Sequence, residues 1–191
     1  MRWNNHSALK DMHAFLGGSK YQWVNYDVDK LHTIWINAKA KEEGTKLHSI
    51  AKDLIDHKIL LRGNKQTFGM YVNDAIRFGM KAEQPLVYSI NCFGTADAIK
   101  IDEKKHFLRI HDLKTGVVPA HMEQLEIYAA LFCLEYGKQY NFKPVDGSIE
   151  LRIYQNDDVN TYNPTAEDIV PIMDKIMTFD KYINKWQEEN Q

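Results

Sequence analysis

Cysteine is the first scarcity: the chain has two, Cys92 and Cys133. A four-thiolate iron–sulfur cluster therefore has no ligand set within one chain. Two cysteines without an extracellular signature fit a reducing cytoplasm, which is the expected location. No long apolar run occurs, so no membrane-spanning helix and no membrane partner are expected, and no signal-peptide pattern is present. There is no internal repeat and no low-complexity tract. An excess of one charge is lacking as well: 24 Lys and Arg against 26 Asp and Glu leave a net −2. A protein that coats DNA would be more basic. The balance still suits an enzyme whose acidic centre offsets a basic surface. Candidate basic clusters are Lys39, Lys41 and Lys46, then Arg62 and Lys65, then Lys100, Lys104 and Lys105. Such clusters are more often solvated faces than DNA tracks.

What is present is a core. Of 191 residues, 44% are hydrophobic and 12% aromatic, which excludes a disordered chain and suffices for one domain spanning residues 1–191. Residues 86–91 (LVYSIN) are aliphatic, aromatic and β-branched, which predicts a strand. Residues 97–101 alternate as a second strand, 102–105 form a charged turn, and 107–113 (FLRIHDL) return as a third. Thr115-Gly116 ends that strand. The apolar spacing over 121–136 predicts a buried helix. Upstream, a helix containing His48 is followed by a polar loop at 62–66 and a further helix over 71–80. Downstream, 147–155 alternates as a strand and 156–164 is a polar, turn-rich loop. Thr165 then caps a long amphipathic helix with Glu167 and Asp168 in its first turn. The expected fold is α/β, a central mixed sheet flanked by helices.

The chemistry concentrates between Gly94 and Tyr128. Asp112 and Lys114 are two apart on a strand and project to one side of the sheet. If Asp97 reaches that side, three polar heads converge. Gln124 and Tyr128, at i and i+4, share a helix face. A phosphodiester repels nucleophiles and needs its leaving alkoxide stabilised. Carboxylates that hold a hard divalent cation beside it answer both needs. A neighbouring lysine can position water or meet developing negative charge. The plain alternative is a surface ion pair between Asp112 and Lys114. The apolar run around Asp112 argues for burial instead, where an unpaired carboxylate is costly.

Taken in order, EGTKLH (43–48), GTADAI (94–99), IHDLKTG (110–116) and QLEIY (124–128) resemble the PD-(D/E)XK nucleases, specifically the RecB-like branch with its phage-type exonucleases. The resemblance implies a restriction-endonuclease-like core. It implies that Asp97 and Asp112 bind metal with the backbone carbonyl of Leu113, and that Lys114 is catalytic. Gln124 and Tyr128 would shape the site or touch DNA. His48 would join the metal, tilting the choice between Mg²⁺ and Mn²⁺ toward Mn²⁺, as one or two ions. Read alone, His48 is equally a half-buried helix histidine with a hydrogen-bond partner. Glu83 stands where some similar proteins carry a further acid, and is a candidate ligand or a solvated loop residue. Lys52 departs from the pattern, which favours an acid there. Residues 13–25 resemble the opening segment of phage-type members, with Ser19 as a candidate helix cap. The implied function is a metal-dependent deoxyribonuclease, an exonuclease of phage or mobile-element origin acting in DNA recombination, repair or degradation. Its expected partners are DNA and either a second copy of the chain or a recombination protein. The rival readings are a non-catalytic DNA-binding or regulatory protein on the same scaffold, and an RNA nuclease.

Overall fold

The computed structural model describes residues 7–9, 13–63, 65–116 and 118–190. The chain divides into two compact units, Met1–Glu42 and Glu43–Gln191. The first holds two 3-10 segments, Ser7–Leu9 and Gly18–Asn25, and the start of helix α1 (Val28–Asp56). Trp23 donates its indole N–H to the Gly17 carbonyl at 3.1 Å and so pins the second 3-10 segment. Ser19 lies inside that segment, which has no side-chain cap. The carboxylate before α1 does the capping instead: Asp27 Oδ1 accepts the Lys30 N–H at 2.7 Å.

The second unit carries the rest of α1, then α2 (Thr67–Arg77), β1 (Lys81–Ser89), β2 (Cys92–Asp102), β3 (Phe107–Leu113), α3 (Glu123–Tyr136), β4 (Ser148–Gln155), β5 (Asp158–Tyr162) and α4 (Ala166–Glu189). The strands form one mixed sheet in the order β1-β2-β3-β4-β5. All neighbours are antiparallel except β3 and β4, which run parallel and are joined through α3. A parallel pair needs such a crossover, because a tight turn cannot reverse the chain twice. The expected α/β fold with a mixed sheet is therefore what the chain adopts.

Two apolar clusters sandwich the sheet. One gathers Leu108, Ile110, Leu151 and Ile153 of the central strands with Leu125, Ala129 and Phe132 of α3 and Ile169 of α4. The other sets Ala98, Leu113 and Tyr154 against Ala51 and Ile55 of α1 and Val72 and Ala75 of α2. With both faces covered, β3 buries Leu108 and every residue from Ile110 to Leu113. This is how a carboxylate at position 112 comes to be 1% exposed.

Residues 156–164, expected as a loop, instead contain β5. Asn156 and Asp157 adopt φ of 52° and 58°, the two left-handed residues of a tight hairpin turn, and Asp158–Tyr162 pairs back on β4. The strand escapes hydrophobicity-based reading because it is a mostly exposed edge of polar residues. Thr165 and Asp168 form the reciprocal capping box at the start of α4, as expected.

Candidate metal centre

The register of β2 and β3 pairs Ala98 with His111, so one further step sets Asp97 level with Asp112 where the two strands part. Asp97 is held there by the backbone: the Leu113 N–H donates to its Oδ2 at 2.9 Å. Leu113, expected to offer its carbonyl to a metal, thus meets Asp97 through its amide. On the other side of β2, the ladder runs from Ala82–Ala98 to Gln84–Ala96 and skips Glu83 and Asp97. Glu83 has φ +48°, a left-handed conformation inside a strand. For a residue with a side chain this costs about 1–3 kcal/mol and is typically kept where it aims a group.

Here it aims a carboxylate. Glu83 Oε1 lies 3.8 Å from His48 Nδ1, and Asp97 Oδ2 lies 3.4 Å from the same nitrogen. Ligand atoms of His48, Glu83 and Asp97 all fall within 4.8 Å of one another. Nitrogen and carboxylate oxygen in this number suit Mn²⁺ or Mg²⁺. Helix α1 delivers His48 because Gly44, one turn earlier, lets the helix approach the loop after β3. A β-carbon on Gly44 would sit 2.8 Å from Thr115 Oγ1.

Asp112 occupies the deeper position. The Lys114 ammonium lies 3.0 Å from each of its oxygens, and Oδ1 accepts the hydrogen bond. Oδ2 is buried with no hydrogen-bond partner. Among the described residues the Lys114 ammonium is thus its one ion-pair partner, 3.0 Å away, and a buried carboxylate with so few partners has lone pairs left for a cation. Burial, then the neighbouring Asp97, push the Asp112 carboxyl up to about 6, with Lys114 opposing. The His48 imidazole is raised chiefly by its hydrogen bond with Asp97, against burial. The Glu83 carboxyl is raised by burial and then by Asp97. Burial is the first cause for the two carboxyls and the Asp97 carboxylate for the imidazole, and Asp97 acts in the same direction on all three. The donor set that fits a divalent ion is His48, Glu83 and Asp97; Asp112, expected as a ligand, lies outside that group and is engaged by Lys114.

Lys114 is itself held from the far side. Its ammonium donates to Gln124 Oε1 at 2.7 Å, and Gln124 Nε2 donates to the Tyr128 hydroxyl at 2.8 Å. The Tyr128 ring rests over Gly94, where a β-carbon would come within 2.7 Å of Tyr128 Cε1. The absent side chain at position 94 thus makes room for the aromatic that fixes Gln124.

The structure brings together, in two linked groups, the residues named from sequence: His48 with Asp97, and Asp112 with Lys114, Gln124 and Tyr128. Glu83 joins the first group. Its sequence signal was an acid near the first core strand, but its placement depends on β1 beginning at Lys81 rather than near residue 86. Lys52 forms an ion pair with Asp56, one turn on along α1. His111, beside Asp112 in sequence, was not singled out. It is fully buried, approaches the Tyr154 hydroxyl at 3.3 Å through Nδ1, and leaves Nε2 without a partner. Burial, with Arg152 and Arg109 nearby, keeps its pKa well below the usual imidazole range, so it is neutral. In comparisons with known proteins, no family model, no curated protein and no solved structure matches the chain.

Proposed function

We propose that this chain is a metal-dependent DNA nuclease of the RecB-like PD-(D/E)XK type, an exonuclease with a restriction-endonuclease-like core that hydrolyses phosphodiester bonds. The observation that carries the reading is the Lys114–Asp112 pair. A lysine is fixed by a glutamine and by both oxygens of a buried carboxylate, next to a His/Glu/Asp group. An ordinary surface ion pair does not bury its acid or anchor its lysine twice.

His48, Glu83, Asp97 and Asp112 would hold Mn²⁺ or Mg²⁺. When bound, such an ion supplies charge neutralisation at a phosphate oxygen and lowers the pKa of water. The protein's own groups do the rest. Lys114, with its ammonium directed by Gln124 and Asp112, orients the attacking water and meets negative charge on the phosphate. Tyr128 keeps Gln124 in place, so Lys114 does not swing onto Asp112 alone. Burial of Asp112 keeps bulk water from its carboxylate and strengthens each of these interactions.

Digestion of linear and closed circular DNA, single- and double-stranded, with RNA alongside and with Mn²⁺, Mg²⁺ or EDTA, tests the reading. Metal-dependent loss of linear DNA, with circles intact, is the expected result. Cutting of circles would make the enzyme an endonuclease, and preference for RNA would move the substrate. No cleavage by the intact chain with either metal would return the weight to a non-catalytic DNA-binding protein.

A further inference from the structure

A cleft of about 380 Å³ opens between the C-terminal half of α3 and strands β1 and β2, and none of the metal-centre residues lines it. Its volume lies in the range of small-ligand sites, about 300–1,000 Å³. One wall is aromatic, made by Phe132, Tyr136 and Tyr140. The Phe132 and Tyr140 rings are stacked, 12° from parallel with centroids 5.9 Å apart. Tyr136 lies 5.6 Å from Phe132 and 6.0 Å from Tyr140. Lys81 and Lys100, both exposed, line the cleft as well, with Glu103. Among the described residues no ion pair engages either lysine.

One helix, α3, carries residues of both the cleft and the metal centre. Tyr128, Phe132 and Tyr136 follow at intervals of four along α3, so they share a face. Tyr128 braces Gln124 at the centre, and Tyr136 lines the cleft. Eight residues of helix separate them, about 12 Å along the axis. At about 3.4 Å per stacked nucleotide, that is three or four nucleotides of one strand. Aromatic faces accept any base, and lysines accept the phosphate between bases.

We propose that this cleft binds one nucleotide unit, its base against Tyr136 and Tyr140 and its phosphate at Lys81. Lys81 pairs with Ile99 on the α3 face of the sheet, whereas Lys100 alternates to the other face. As a subsite for a single strand leading to the metal centre, it rests on the nuclease reading. The same chemistry is offered by a free mononucleotide, and the test separates the two.

The test is fluorescence anisotropy of the full chain with labelled twelve-residue oligothymidylate in EDTA, and calorimetry with thymidine monophosphate. Both are run on wild type, Lys81→Glu and Tyr136→Ala. Lys81→Glu alters only an exposed side chain, so it decides the question even if Tyr136→Ala fails to fold. The expected result is about tenfold weaker oligonucleotide binding in Lys81→Glu, with Mn²⁺ binding unchanged. Thymidine monophosphate bound by wild type and lost in Lys81→Glu, without an effect on the oligonucleotide, assigns the cleft to free nucleotide. Wild-type affinity for both ligands in Lys81→Glu, or no binding of either by wild type, overturns the proposal. A chain that cleaves DNA while Lys81→Glu binds both ligands normally keeps the nuclease reading and loses the cleft. A chain that cleaves nothing, but whose nucleotide binding depends on Lys81, does the reverse.

Discussion

Asp112 concentrates the electrostatic cost of the second unit in one side chain. Its carboxyl titrates at about 6 in the folded chain, against an ordinary 3.8. Between those values the folded state holds more protons than the unfolded state. The contribution of this group to stability without metal therefore falls as pH rises through that window. Asp112→Asn removes the titration. In EDTA, the unfolding free energies of wild type and Asp112→Asn should diverge from pH 4 to pH 6.5, the variant becoming relatively more stable. A constant difference across that range would contradict the burial argument. A bound cation acts on the same cost from the other side. Mn²⁺ should raise the melting temperature of wild type, because it binds the folded state alone. His48→Ala and Asp97→Ala should each lose most of that rise, whereas a rise kept in both would place the ion elsewhere. At this scale the sequence revealed which residues to watch, through motif order. It did not reveal Glu83's membership, which depends on a left-handed backbone at that residue.

Among the elements, β3 is the one whose bounds the sequence predicted without error, because its apolar run ends in a turn at Thr115-Gly116. β5 was hidden for the opposite reason, being a polar edge whose only signal is its two-residue turn. That turn does more than reverse the chain. Asp157 accepts hydrogen bonds from the Thr67 N–H at 2.8 Å and the Thr67 hydroxyl at 3.1 Å, capping α2 from 90 residues away. Asp157→Ala should cost about 1–2 kcal/mol in urea unfolding, while Asn156→Gly, at φ 52°, should be neutral or stabilising. Equal losses from both would show that the turn matters for another reason. β2 and α3 meet at Gly94 and Tyr128, and Gly94→Ala tests that packing. The added methyl displaces the Tyr128 ring, at a cost of about 1–3 kcal/mol. The account expects cleavage to fall about tenfold or more even well below the melting temperature, since Gln124 and Lys114 lose their brace. Full activity in a folded Gly94→Ala would detach Tyr128 from the catalytic arrangement.

For the whole molecule, the composition foretold a substantial core and the succession of strand-like and helix-like segments an α/β fold, and the chain adopts one with a mixed five-stranded sheet. The division at Glu42/Glu43 was not legible, because α1 runs through it without a break in helical residues. A net charge of −2 leaves little long-range attraction for nucleic acid. On the proposed function, DNA binding would rest on local lysine contacts, with a salt dependence set by their number.

The central claim is that Lys114 is catalytic rather than one half of a structural ion pair. It is tested most directly by cleavage of linear DNA with Mn²⁺ by wild type and Lys114→Ala, with DNA binding and thermal melting measured on the same samples. The variant is expected to bind DNA and fold like wild type, yet to cleave slower by about two to three orders of magnitude. Cleavage by Lys114→Ala within a few-fold of wild type would contradict it.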